Sequence, residues 1–447
     1  MKKKFLPFIA TGLAMALTLA ACTPAAAPAP APAAAPVAPA ADAADAADAP
    51  ADADGLEPVH FMAFAMMSGP NAESGRQVTM AAQTAEWYIN EVLGGFPSLG
   101  GRPVQITVID STSDAAQASL PFEQALDSGN YSVVIGNSNS SIALVQLPIA
   151  ERFEIPMITG AAANIAISQQ GSTFSFQPAA VAATFIPLQF AFLEYYADLM
   201  GIDIYDLNIG LIYANDAWGT DNAQNTRNHI EERGLNLALD MAYEVATFTD
   251  ATPLVTALMN AEVDVVLPSS YPSDLSLIFT AMGALNYNPL IVGGGAAMTW
   301  PSLFVDIGEA VNGLTSVDSW VWDQTGARVH EGMMMMNEWY EQQFGEFIPG
   351  QGGPTLTSIM TAYAAIERIG SDDPIAIRDE LRRTDETVCD WFAIVNGFSA
   401  FDPETGQNTG ALPVILQWQN NRPTAVFPPE LAASELLNPQ TMQPFER

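Results

Sequence analysis

Strand-like apolar runs alternate with helical patterns along this chain, and the alternating series occurs twice. The first series spans residues 59–158 and the second spans residues 209–292. Between the strand-like runs, apolar residues recur at three- and four-residue spacing, as in residues 78–92, which places them on one face of a helix. Strands that alternate with helices in this way predict βαβ units and a parallel sheet. Two such series predict an α/β fold with two lobes.

The individual elements can be placed approximately. The first series predicts strands at 59–66, 104–109, 131–135 and 155–158, and helices at 78–92, 115–126 and 142–150. The second series predicts strands at 209–213, 263–267 and 290–292, and helices at 218–233 and 273–285. Later patterns predict helices at 328–344, 355–369 and 374–383, and a strand at 414–418. Ligands of such sheets bind beyond the carboxyl ends of the strands, so we expect a site in the cleft between the lobes.

The N-terminus carries an export signal. Three lysines at residues 2–4 precede an apolar stretch at residues 5–20, which is short for a membrane span. The stretch ends in Leu19-Ala20-Ala21-Cys22, which resembles the bacterial lipobox. This resemblance implies that residues 1–21 are a lipoprotein signal peptide and that Cys22 is lipidated. An ordinary secretory signal with a chance cysteine is the alternative.

Residues 22–56 consist almost entirely of alanine, proline and aspartate. A segment of this composition buries too little apolar surface to offset its ordering entropy, so we expect a disordered tether. In an extended polyproline conformation it would reach on the order of 100 Å. The following body of roughly 390 residues exceeds one simple core and suits two domains.

Charge and cysteine content narrow the possible partners. All three lysines precede Cys22, and the 12 arginines and 50 acidic residues that follow leave a net charge of −38. Such an excess of negative charge argues against a nucleic-acid partner. It fits adaptation to salt or an acidic bias of the genome equally well. Besides Cys22 the only cysteine is Cys389, so we expect a buried thiol and no disulfide.

Five short motifs occur along the body, and their order along the chain matters as much as each motif alone. They are MSGP at 67–70, IGNSNSS at 135–141, IPMIT at 155–159, ANDAWG at 214–219, and the closing pairs FD at 401–402 and QW at 417–418. Together they resemble the type I periplasmic binding proteins that bind branched-chain amino acids and amides. The resemblance covers about residues 59–428. It implies two Rossmann-like lobes with parallel central sheets, joined by three hinge crossovers.

The resemblance also implies a domain division and a role. Residues 57–182 and 298–396 would form the first lobe, residues 183–297 and 397–430 the second, and residues 431–447 a C-terminal tail. The chain would then be an extracytoplasmic, lipid-anchored and monomeric solute-binding protein. It would capture a small polar ligand, such as an amino acid, an amide or a related carboxylate, and deliver it to the permease subunits of an ABC transporter. A membrane-tethered sensor of the same fold is the alternative, and an exported hydrolase is a third class.

The first predicted ligand contact lies where residues 137–141 pass from a strand to a helix. Unpaired backbone N–H groups at a helix N-terminus favour an anionic or carbonyl oxygen. The hydroxyl groups of Ser140 and Ser141 add hydrogen-bond donors next to Asn139. A plain capping run would have the same composition. The family resemblance favours a ligand contact at these three residues.

The other predicted contacts are implied by the resemblance. In the family, residues 162–164 form a second clamp, but Ala163 stands where a threonine is usual, so Ala162 or Asn164 would have to replace the missing hydroxyl. Trp218 matches an aromatic wall, and Tyr271 is expected to contact the ligand as well. The glutamate that pairs with the ligand's ammonium aligns with Ser273, which leaves the adjacent Asp274 as the candidate counter-charge. The alternative for Asp274 is a solvated charge near a helix N-terminus.

No motif predicts catalysis, a metal or a cofactor. The three histidines are scattered and show no metal-binding spacing. The segment from residue 136 to residue 140 begins like a G-x-S-x-G nucleophile motif but lacks its final glycine. We therefore expect no catalytic residue, no metal site and no cofactor.

Overall fold

A computed structural model of the chain describes residues 55–323, 331–384 and 400–445. The predicted signal peptide, Cys22, all but the last two residues of the tether and Cys389 lie outside these ranges. Two separate β-sheets, with five and seven strands, organise the described part. In that part no helix combines the length and apolarity needed to cross a bilayer.

The first sheet is built from the first βα series. Its strands are β1 (Val59–Ala65), β2 (Val104–Asp110), β3 (Val133–Gly136), β4 (Met157–Thr159) and β5 (Ser175–Phe176). The helices between them are α1 (Ala72–Trp87), α2 (Ala115–Ser128), α3 (Ser140–Phe153) and α4 (Ala166–Gln169). The strand order is β2-β1-β3-β4-β5, and all pairs are parallel.

The second sheet begins after α5 (Ala182–Met200). Its parallel strands are β6 (Asn208–Ala214), β7 (Asn236–Tyr243), β8 (Val265–Ser269), β9 (Leu290–Gly293) and β10 (Thr315–Asp318). The intervening helices are α6 (Ala217–Arg233), α7 (Thr252–Asn260), α8 (Pro272–Ala284) and α9 (Pro301–Ile307). Three helices follow, α10 (Glu331–Phe344), α11 (Gly352–Ile369) and α12 (Pro374–Leu381), and then β11 (Val414–Gln419) and β12 (Arg422–Phe427). The order is β7-β6-β8-β9-β10-β11-β12, with β11 antiparallel to both neighbours.

Helices cover both faces of each sheet. On β1, Phe61 and Ala63 face the core formed with α1, α10 and α11, whereas Met62 and Phe64 face α2 and α3. This is the two-residue alternation of a strand buried on both faces. The second sheet is covered by α7, α8 and α9 on one face and by α5 and α6 on the other. Each lobe is thus a three-layer α/β structure, and the α/β fold with two lobes is confirmed.

Most predicted elements are present, but the lobe boundary differs from our expectation. The expected first lobe included residues 298–396, yet β10 lies within the second sheet between β9 and β11. Three of its four residues are polar, so the strand has little apolar pattern that could reveal it. The expected C-terminal tail also packs on the second lobe, where Leu436 is buried in the core and Phe445 packs against it.

The described segments belong to the two lobes in an order that requires three passages from one lobe to the other. The first crossover follows β5, the second follows β10, and the third leads from α12 to β11. Hydrogen bonds join the first and third crossovers. The backbone N–H of Gln177 donates to the carbonyl oxygen of Gly406 at 2.8 Å, and the carbonyl oxygen of Gln177 accepts the backbone N–H of Asn408 at 3.0 Å. In the second, Asp318 ends a strand of the second sheet, and Trp320 is already buried in the core of the first lobe. Asp318 therefore lies at a connection between the lobes.

Candidate functional site

A cavity lies between the lobes, and residues of both lobes line it. Much of its wall comes from residues that directly follow strands of both sheets, which is the expected position for a ligand in α/β folds. The residues that line it are Ser138, Ser140, Ala161, Ala163, Phe185, Trp218, Tyr271, Gly295, Trp300, Asp318, Ser319, Gly350, Gln351 and Pro354.

The N-terminus of α3 forms one side of the cavity. Asn139 caps the helix, since its side-chain oxygen accepts the backbone N–H of Ile142 at 3.2 Å. Ser140 is buried and lines the cavity, and its hydroxyl oxygen accepts the backbone N–H of Asn164 at 3.2 Å. Among the three residues predicted here, Ser140 alone lines the cavity. Asn139 therefore acts as a helix cap, and it also reaches across the cleft, where its amide donates to the Tyr271 hydroxyl at 2.9 Å.

The turn after β4 contributes Ala163 to the cavity wall. The carbonyl oxygen of Ala162 is already bonded to the Gln177 amide at 2.8 Å. The Asn164 side chain accepts the backbone N–H of Ala166 at 2.7 Å and donates to the carbonyl oxygen of Ala217 in the other lobe. Neither Ala162 nor Asn164 lines the cavity, so both support the turn in this structure.

Aromatic side chains form the wall on the second lobe. The rings of Trp218 and Tyr271 both line the cavity, with centroids 5.4 Å apart. Tyr271 is buried, and its hydroxyl donates to the carboxylate of Asp216. Burial and the nearby Asp216 raise the pKa of Tyr271 well above its usual value, so this phenol stays neutral. Gly295 lies beside the Trp218 ring and adopts a φ of +133°, a backbone conformation that residues with a side chain rarely adopt.

The structure places the predicted Ser273 and Asp274 away from the cavity wall. Ser273 is exposed. Asp274 is buried, and its carboxylate accepts the Tyr243 hydroxyl at 3.0 Å. Burial raises the pKa of Asp274 to about 6. Neither residue is among those that line the cavity.

The carboxylate on the cavity wall is Asp318, which sequence reasoning missed. It is 2% exposed, and it accepts the Thr299 hydroxyl at 3.2 Å and the backbone N–H of Trp320 at 3.3 Å. Burial raises the pKa of Asp318 to about 7. In the sequence, Asp318 is only an aspartate at the end of a short, mostly polar run of residues. Its position indicates a binding site only once that run is known to be a strand.

Two further lining residues were also missed. Trp300 is buried, and its indole N–H has no hydrogen-bond partner among the described residues. A buried donor of this kind is costly unless something accepts from it. Gln351 is held in place by the Ser74 hydroxyl, which donates to its side-chain oxygen. The described residues contain no cluster of three or more histidine, cysteine or acidic side chains arranged to hold a metal.

Two α/β lobes that enclose a cavity at the carboxyl ends of their strands define the class of bilobal solute-binding proteins. The model of the periplasmic binding protein family matches residues 59–422, and the chain belongs to this family. As the motifs predicted, it is a type I periplasmic binding protein. Proteins of this family are extracytoplasmic and bind substrates; they are not enzymes.

Individual relatives agree with this assignment. A Leu/Ile/Val-binding protein homolog 7 from Brucella abortus (strain 2308) is 26% identical over 379 residues, which cover 83% of this chain and 92% of the relative. The leucine-binding protein LivK of Thermotoga maritima has the same fold, with a TM-score of 0.69, 20% identity and coverage of 82% and 97% of the two chains. The transporter substrate-binding protein LivJ of Streptococcus pneumoniae, solved with isoleucine, has a TM-score of 0.69, 16% identity and coverage of 83% and 100%.

Proposed function

We propose that this protein captures an amino acid with an apolar side chain between its lobes and delivers it to an ABC transporter. The observation that carries the proposal is the two-sided cavity. Its first side offers the Ser140 hydroxyl at a helix N-terminus, and its second side offers the rings of Trp218 and Tyr271. A neutral amide or a related carboxylate is the alternative ligand. The names of the relatives favour the amino acids leucine, isoleucine and valine.

The two sides suit different ends of such a ligand. A carboxylate oxygen would lie near Ser140 and the N-terminus of α3, where the helix dipole and free N–H groups favour negative charge. An apolar side chain would pack on Trp218 and Tyr271. Asn139, Ser141 and Asn164 would act indirectly, by joining the two lobes around the ligand. Ala163 would contact it only through its backbone and its small side chain.

Attachment and delivery complete the proposal. The lipobox at Cys22 and the tether after it would hold the protein at the outer face of the cell membrane, close to the permease subunits of its transporter. The ligand would be released there after the lobes open. Hinge opening and closing is a motion that two lobes joined by short crossovers permit.

Calorimetry with leucine, isoleucine, valine and the corresponding amides and carboxylates tests the binding role. At 100 times its dissociation constant, a ligand should stabilise the protein by about 2.7 kcal/mol. Ser140→Ala should weaken binding by about 1.5–3 kcal/mol, since it removes a hydrogen bond to a charged group. Ser128→Ala is the matched control, because Ser128 is exposed and bonds only to the carbonyl oxygen of Ala125. The proposal is wrong if no compound of the panel binds.

A further inference from the structure

The cavity contains one carboxylate and no cationic side chain. Of the residues that line it, Asp318 alone carries a carboxyl group, and none is a lysine, arginine or histidine. We infer that Asp318 is the counter-charge for a positively charged nitrogen of the ligand, so that the site selects zwitterionic or cationic ligands over carboxylates and neutral amides. This inference rests on the proposed binding function and deepens it.

The surroundings of Asp318 leave its charge unmatched. Its oxygens accept from Thr299 and from the backbone N–H groups of Ser319 and Trp320, but none of these donors carries a charge. None of the ion pairs among the described residues includes it. A buried carboxylate without a cation is unfavourable, and such groups cluster at functional sites. A ligand ammonium would supply the missing charge.

Asp274, the carboxylate expected from the sequence, is in a different situation. It bonds to the Tyr243 hydroxyl and the Ser273 hydroxyl, and it does not line the cavity. Asp318 is also closer in chain position to the crossover between the lobes. A ligand bound to its carboxylate would therefore lie beside the connection between the lobes.

The remaining cavity wall suits a ligand that combines a cation with an apolar group. Trp218 and Tyr271 present aromatic rings, which attract cations as well as apolar chains. The unpartnered indole N–H of Trp300 and the hydroxyl of Ser140 can donate to a ligand oxygen. A zwitterionic amino acid matches all of these groups, and an alkylamine matches Asp318 and the rings.

The charge of Asp318 makes binding depend on pH. Burial holds its pKa at about 7, and no other charged side chain contributes to that shift. The ionisable groups beside and behind the same wall are Tyr271, Asp216, Asp274 and Tyr243. Both phenols stay neutral, because burial raises their pKa values. A cationic ligand favours ionised Asp318, so affinity should rise on the order of 100-fold between about pH 5 and about pH 8.

Three compounds with the same branched carbon skeleton separate the possibilities in calorimetry on the full chain. Leucine carries both charges, isoamylamine lacks the carboxylate, and isocaproate lacks the ammonium. We expect leucine to bind best, isoamylamine to bind measurably and isocaproate to bind roughly 30-fold or more weakly than leucine. Asp318→Asn should weaken leucine binding by a similar factor and abolish the rise with pH. Asp306→Asn is the control, because it removes the same charge from an exposed position outside the cavity.

The outcomes separate this inference from the function on which it rests. If isocaproate binds as well as leucine, or if leucine binding weakens with rising pH, the transport role stands and the role of Asp318 is overturned. The second result would mean that protonated Asp318 donates to a ligand oxygen. If none of the three compounds binds, the proposed ligand class fails and the inference falls with it. The wild-type measurements decide the matter even if Asp318→Asn fails to fold.

Discussion

Asp274 and Tyr243 form a buried acid–phenol pair behind the aromatic wall of the site. The Tyr243 hydroxyl donates to the Asp274 carboxylate at 3.0 Å, which favours the ionised acid, whereas burial opposes ionisation and has the larger effect. The pKa of Asp274 is therefore raised to about 6. Asp318 on the cavity wall behaves similarly, with a pKa of about 7. Both residues hold protons in the folded protein that a solvated carboxyl group would lose.

These raised pKa values predict how the stability of the ligand-free protein varies with pH. The unfolded chain loses these protons near pH 4, and the folded protein keeps them up to about pH 6 at Asp274. The folded state binds more protons in this window, so the free energy of unfolding falls as the pH rises through it. The contribution of Asp274 is up to about 3 kcal/mol. Denaturant unfolding across this pH range measures it.

Two variants identify the source of this pH dependence. Asp274→Asn should lose the part of this pH dependence that Asp274 causes. Its free energy of unfolding should therefore increase relative to that of the wild type as the pH rises. Tyr243→Phe removes a hydrogen bond to the ionised acid, so the fall in stability should extend to higher pH. Identical pH profiles for the wild type and Asp274→Asn would contradict this explanation. Since Asp274 does not line the cavity, we also expect its substitution to leave leucine affinity nearly unchanged.

At the scale of elements, the N-termini of α3 and α6 meet across the cleft. The Ser141 hydroxyl oxygen accepts the backbone N–H of Ala217 at 3.4 Å, and the Asp221 carboxylate accepts the backbone N–H of Ile165 at 3.3 Å. Asn164 also donates to the carbonyl oxygen of Ala217. Each of these bonds joins residues of the two lobes. All of them must break when the lobes separate, so they stabilise the closed arrangement.

Asp221→Ala should therefore accelerate ligand release. One inter-lobe hydrogen bond is worth about 1 kcal/mol, which corresponds to roughly a fivefold weaker affinity. Most of the change should lie in the dissociation rate, because the bond forms only after the lobes have closed. Stopped-flow displacement of bound leucine measures that rate. Gln224→Ala on the same helix is the control, because Gln224 is exposed and bonds only to Asn228. Equal release rates for the two variants would argue against this role of Asp221.

At the scale of the whole molecule, the body and the N-terminal segment have different tasks. The described residues form one compact unit, which contains both sheets and the cavity. The proposed lipid anchor at Cys22 lies outside the described residues. In the sequence, a segment of alanine, proline and aspartate separates Cys22 from the body, and its composition disfavours folding. Anchoring and ligand binding should therefore be separable.

Cys22→Ser tests this separation. The variant should move from the membrane fraction to the soluble fraction, since a serine cannot accept the thioether-linked lipid. A chain that begins at residue 55 should bind leucine with the affinity of the full protein, because every residue that lines the cavity is retained. Fractionation and calorimetry measure the two effects. Continued membrane attachment of Cys22→Ser would refute the anchor, and lost binding by the shorter chain would refute the independence of the body.

The sequence by itself determined the elements whose signal is local. Hydrophobic periodicity revealed most strands and helices of both series, because a buried strand or an amphipathic helix repeats its apolar residues over a short distance. Four of the predicted site residues also line the cavity, namely Ser140, Ala163, Trp218 and Tyr271. Each lies soon after a recognisable strand or within the helix that follows one. Strand ends in parallel sheets converge, so local motifs sufficed to locate that part of the wall.

Only the tertiary structure decided the other part of the wall. β10 has the sequence Thr-Ser-Val-Asp, and it is buried because it lies between β9 and β11, which are distant from each other in the chain. That placement puts Asp318 on the cavity wall, and the second crossover brings Gln351 there from the first lobe. Trp300 joins them from the segment after β9. A polar strand becomes buried only through its long-range partners, and no local pattern records those partners.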